Sequence, residues 1–171
     1  MTSQPKNEAK NNNLYGVRSN SGSAKLGVIF EYDLTTDTYT EKIDFDGPQK
    51  GKNPSNAFTS QSGDKFYSVT TQGGTYGYGV IYEYDPLTNF FSKKLDFDGK
   101  NHNSYPYDLF QASNGKLYGT AQGYPHHTKG LLFEFDPISF TFSRRAEFLS
   151  MPFSNMIEIN YCPNSTSILN P

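Results

Sequence analysis

The chain has 171 residues, the length of one domain, and its 15 Lys and Arg against 17 Asp and Glu leave a formal net charge of −2. With no basic cluster larger than Lys93-Lys94 or Arg144-Arg145, it lacks the electrostatic footprint of a nucleic-acid or anionic-membrane binder. Cys162, the one cysteine, excludes an internal disulfide framework and an all-cysteine metal site, and no apolar run approaches the roughly 18 residues of a membrane span.

The segment Met1 to Asn13 is polar and lacks the apolar core of a signal peptide. It reads as a disordered lead-in, so the chain is expected to be either intracellular or a piece of a larger exported protein. Beyond it, 13 Tyr and 14 Phe with no Trp stand at alternate positions with Gly, Asn, Asp and Pro between them. That is the composition of an all-β protein.

From Leu14 the chain says nearly the same thing three times. LYGVRSNSGSAKLGVIFEYDLTTDTYTEKIDFDG is followed by FYSVTTQGGTYGYGVIYEYDPLTNFFSKKLDFDG and LYGTAQGYPHHTKGLLFEFDPISFTFSRRAEFLS. Asp33, Asp85 and Asp136 are equivalent, at steps of 52 and then 51 residues, and Tyr15, Tyr67 and Tyr118 keep the same steps, as do Gly27, Gly79 and Gly130. A period near 50 signals stacked β modules.

The central copy predicts strands over Lys65–Thr71, Gly79–Asp85 and Phe90–Phe97. In the second of these, Val80, Tyr82 and Tyr84 share one face, with Ile81 and Glu83 on the other. Gln72–Tyr78 reads as a glycine-rich loop. Asp85 to Asn89 reads as a tight turn in which Asp and Asn side chains bond local N–H groups. A further strand follows a proline in each linker, Pro54–Thr59 and Pro106–Gln111.

The fold class is therefore all-β: three four-stranded antiparallel blades of about 51 residues, forming a partial β-propeller. The units run 14–53, 54–105 and 106–150. A final strand near 152–159 has no blade after it, and 160–171 is a tail. The first unit lacks its leading strand. Two chains joined head to tail would make a six-bladed ring, each spare strand completing a blade of the other; the alternative is a remnant of a longer propeller.

KLYGT at Lys116–Thr120, GVIYEYDPLTN at Gly79–Asn89, KKLDFDG at Lys93–Gly99 and PYDLFQASNGKLYG at Pro106–Gly119 resemble the Gloeo/Verruco (GloVer) family of bacterial tandem repeats. The resemblance covers Leu14 to Ser150. It implies a β-propeller-like array, commonly in exported or cell-surface proteins, and brings no catalytic residues. Gly73-Gly74 and Tyr-x-Tyr-Asp-Pro also resemble kelch repeats, without the Trp expected there.

Residues that recur in every copy are most simply architectural. Glu31, Glu83 and Glu134 sit among packed sheets and need partners; a neighbouring blade is expected to supply them, as a Tyr hydroxyl or a backbone N–H. Asp44/Asp46 and Asp96/Asp98 could suggest a Ca²⁺ corner or a glycosidase pair. Too few oxygens and the repetition itself favour turn capping. His126 and His127 are neighbours that point to opposite faces in extended chain, a poor metal site. No cofactor or metal is expected.

Meander topology gathers the long, variable loops at one end of the blades. That end carries the candidate ligand-binding residues Tyr76, Tyr78, His102, Tyr105, Tyr124 and His126. Tyr with Asn, Gly and Ser is a palette of adaptable recognition. The expected function is a non-catalytic binding or scaffold module for protein or glycan, with self-association by blade completion. The alternatives are a carbohydrate-active enzyme and a structural spacer.

Overall fold

In a computed structural model, residues 13–55, 58–59, 65–122 and 129–149 are described. They form eleven strands and no helix. Sheet 1 holds β1 (Asn13–Arg18), β2 (Val28–Asp33) and β3 (Thr38–Asp44). Sheet 2 holds β4 (Lys52–Pro54), β5 (Phe66–Gln72), β6 (Val80–Asp85) and β7 (Phe90–Asp96). Sheet 3 holds β8 (Ser104–Gln111), β9 (Leu117–Gln122), β10 (Gly130–Asp136) and β11 (Thr141–Phe148). Strand order follows the chain within each sheet and every pairing is antiparallel. The architecture is a partial β-propeller of three open sheets, as the repeat predicts. The expected spare strand near 152–159, the tail and residues 1–12 of the lead-in lie outside the described residues. Asn13, expected in the disordered lead-in, instead opens β1 and is buried, because its amide side chain meets Glu31 across the hairpin.

The inner strands start earlier than the prolines that announce them, at Lys52 and Ser104. Proline has no N–H to donate to a ladder, and here its ring does other work. Pro54 covers Gly27 of the preceding sheet, and Pro106 covers Gly79. A side chain at either glycine would occupy the space of the ring. The Gly27/Gly79 recurrence is thus a seam between sheets.

Strand alternation divides the core into two slabs. Val80, Tyr82 and Tyr84 turn to sheet 1 and pack with Ile29, Phe45 and Phe66. Ile81 turns the other way and packs with Val69, Phe97, Leu109, Leu117, Leu131, Phe133 and Phe135. Aromatic rings meet across these seams: Phe45 is edge-on to Tyr82 at 5.5 Å, and Phe97 is edge-on to Phe133 at 5.5 Å. A sheet buried on both faces needs little beyond such packing to stay in place.

Each outer hairpin carries a β-bulge at the same point, between Ile29 and Phe30, Ile81 and Tyr82, and Leu132 and Phe133. The extra residue on the outer strand is Lys42, Lys94 or Arg145. A bulge allows two successive residues to serve one face. Ile43 and Leu95 join the core slabs, while the cation beside each is turned to a buried glutamate.

Candidate functional site

The recurring glutamates are enclosed, and their partners correct the expectation of a neighbouring blade. Every partner lies in the same sheet. Glu83 faces Tyr67 across β5–β6 and accepts its hydroxyl at 2.7 Å, with Lys65 at 2.9 Å and the bulge residue Lys94 at 3.3 Å. Glu134 accepts Tyr118 at 2.9 Å, Lys116 at 2.6 Å and the bulge residue Arg145 at 2.6 Å. Glu31 pairs with Lys42 at 2.7 Å and accepts the Asn13 amide.

Direct cross-strand opposition puts these groups in reach, whereas a neighbouring sheet lies beyond an apolar slab. Burial pushes Glu83 and Glu31 up, and the surrounding donors and cations more than offset it, so both carboxyls lie below the ordinary range. Lys116, then Arg145 and Tyr118, hold Glu134 down to about 2. A carboxylate this well satisfied is a structural anion, not a proton shuttle.

The aspartate pairs cap two different loops, as the turn-capping reading predicts. Asp44 accepts the Ser23 hydroxyl at 2.9 Å, and Asp96 accepts Thr75 N–H at 2.8 Å and the Thr75 hydroxyl at 2.9 Å. Asp46 accepts Lys50 N–H at 2.7 Å, and Asp98 accepts Asn101 N–H at 2.8 Å and His102 N–H at 2.9 Å. Among the described residues no group of three or more His, Cys, Asp or Glu could hold a metal ion.

The hairpin turns follow the same logic. Asp85 accepts Leu87 N–H at 2.9 Å, and Asp33 and Asp136 do the same at Thr35 and Ile138. Asn89 departs from expectation: its side chain accepts the Tyr84 hydroxyl at 3.0 Å.

Among the described residues the long loops at 19–25, 48–53, 72–78 and 100–105 meet at one end, stitched by backbone hydrogen bonds. Gly74 N–H donates to Gly47 C=O at 2.7 Å, and Tyr105 N–H donates to Tyr78 C=O at 2.9 Å. Between sheets 1 and 2 they frame a cleft of about 550 Å³, lined by Leu26, Asp46, Pro48, Lys52, Thr75 and four glycines. Gly73 lines it with a φ of +81°, and a Cβ there would meet Gly47 C=O at 2.5 Å.

Of the candidate residues, Tyr76 is 58% exposed and falls in sequence between the lining residues Thr75 and Gly77, without itself lining the cleft. Tyr78 and Tyr105 are half-buried and lie edge-on to each other at 5.8 Å, and Tyr78 joins the core between sheets 2 and 3. The His102 ring is edge-on to Phe142 at 4.8 Å, with Nδ1 3.4 Å from Asp98. These three therefore belong to the seam more than to an open surface. Tyr124 and His126 lie outside the described residues. Sequence reading missed Leu26, Asp46, Lys52 and Thr75 as cleft residues; their nearest signal is position on the long-loop end.

Several solved structures share the fold. The extracellular domain of a one-component system from B. thetaiotaomicron aligns with a TM-score of 0.53 at 15% identity, over 85% of this chain and 18% of that one. The tricorn protease aligns with a TM-score of 0.50 at 15% identity, over 86% of this chain and 12% of that one. The chain thus spans less than a fifth of either. No curated protein matches it in sequence. The family profile described as the Gloeobacter/Verrucomicrobia repeat matches residues 2–160. With that match over its three tandem copies, the chain belongs to the Gloeobacter/Verrucomicrobia repeat family.

Proposed function

We propose that the protein is a non-catalytic binding or scaffold module that recognises protein or glycan at its long-loop end. One observation carries this reading: the exposed Tyr76 lies in the loop between Thr75 and Gly77, two residues that line a cleft also presenting Asp46 and Lys52. An exposed ring on the loop that frames a cleft holding a carboxylate and an ammonium group offers an apolar face together with donors and acceptors. That combination suits a sugar ring or a peptide side chain. Rigid strands hold the loops, and variable loops on a rigid scaffold are where binding usually lives.

The enzyme reading has less support. The repeated carboxylates are each engaged by backbone N–H groups or cations, and such engagement opposes the split pair of acidities that acid–base hydrolysis needs. The extracellular neighbour supports presentation at a cell surface. The test is a glycan array, followed by titration of the best hit. Tyr76→Ala and Lys52→Ala should each weaken binding about tenfold, equal to about 1.4 kcal/mol, with the thermal midpoint unchanged. Undiminished binding by both variants would reject the cleft.

A further inference from the structure

Each sheet has a front, turned to the sheet before it, and a rear. The front of sheet 2 presents Phe66, Tyr82, Tyr84 and Phe91, packed in the slab shared with Ile29 and Phe45. The front of sheet 3 presents Leu117, Phe133, Phe135 and Phe142, packed in the slab shared with Ile81 and Phe97. The same repeat positions in sheet 1 are Leu14, Phe30, Tyr32 and Tyr39. Among the described residues no sheet lies before them. Leu14 is 51% exposed, where its counterparts Phe66 and Leu117 are 8% and 0% exposed. Tyr39 is 42% exposed, yet its ring lies against Phe30 at 5.2 Å. Val28 on the same face is fully buried and Phe30 and Tyr32 are half-buried, so the open part of the face is Leu14 and Tyr39, residues of a seam without the neighbour.

We propose that the front of sheet 1 docks on a second copy of this chain, head to tail, against the rear of its sheet 3. The two internal seams are the template. A front of this kind packs on the rear of a sheet carrying Ile29, Ile43 and Phe45, or Ile81, Leu95 and Phe97. At those positions the rear of sheet 3 carries Leu132, Ala146 and Phe148, the last 37% exposed. Each copy therefore holds the complement of what the other exposes. Two copies supply six sheets, within the four to eight of closed propellers. A head-to-tail contact that closes on itself ends the association at a finite ring instead of a filament.

Analytical ultracentrifugation of the full chain should give the mass of two chains. Leu14→Glu on the front and Phe148→Glu on the rear should each convert it to one chain with an unchanged circular dichroism spectrum. Tyr39→Glu serves as a second front variant should Leu14→Glu unfold. A wild-type chain that stays single at every concentration overturns the proposal and leaves the face to other partners. Dissociation by the front variants with Phe148→Glu still paired also overturns it, because two fronts would then be meeting.

Discussion

At the scale of single residues, the chain depends on how its recurring glutamates, two buried and one half-buried, are neutralised. Glu134 shows the principle most strongly. Its folded value of about 2 lies below its ordinary 4.5, chiefly through Lys116. A carboxyl whose acidity is greater in the folded state stabilises fully above its unfolded value, and the contribution drains away as pH falls through the folded one. The window is therefore between 4.5 and about 2. Urea midpoints should fall across it, and Glu134→Gln should flatten that fall while lowering the midpoint at neutral pH, where Lys116 and Arg145 lose their counter-charge. Superimposable pH profiles would contradict this. The need for partners was legible in the sequence, because an acid at the centre of an apolar strand cannot stand alone, and so was the tyrosine. Their origin in the same sheet was not, because it depends on the strand register that opposes each tyrosine to its glutamate and on the bulge that turns Lys42, Lys94 or Arg145 toward it. The signal was nevertheless present: Lys42-Ile43, Lys94-Leu95 and Arg145-Ala146 repeat a cation beside an apolar residue where strict alternation would separate them.

At the scale of the element, the outer hairpin turns read well from sequence up to their last residue. The aspartate that opens each turn was legible from its side-chain chemistry. The left-handed residue that closes it is Asp37, Asn89 or Phe140, with φ of 58°, 55° and 57°. The first two also accept the hydroxyl of Tyr32 or Tyr84. In the third copy Phe135 has no hydroxyl, and Phe140 holds the strained position without that compensation. Left-handed geometry costs a branched or bulky side chain about 1 kcal/mol, which Asn largely escapes. Phe140→Asn should therefore raise the thermal midpoint by about 2 to 4 °C for a stabilisation of about 1 kcal/mol in a chain of this size. The gain is trimmed by losing the approach of Lys94 over the Phe140 ring at 5.5 Å. A scanning calorimetry midpoint that does not rise would show that the ring is held by more than its backbone permits.

At the scale of the whole molecule, the junction beneath the cleft joins sheets 1 and 2 through bare backbone. Gly73→Ala places a methyl against Gly47 and Gly51, whereas Gly77, with a φ of +84°, has open space around it. The first substitution should cost at least about 2 kcal/mol and the second about 1 kcal/mol, the left-handed penalty alone, read as denaturant midpoints. Equal losses would mean that the junction relaxes freely. The array was legible because three copies announce it. The cleft was not, since Leu26, Asp46–Lys52 and Gly73–Gly77 come from three separated segments and no contiguous motif marks them. Every ion pair among the described residues stays inside one repeat. Gene duplication can therefore insert or delete a copy without stranding a charge in its neighbour. What has to be matched is an apolar seam with a few hydrogen bonds, several of them from backbone groups that every copy has. Array length can therefore change without any new ion pair being required at the seam, while each copy must keep its own.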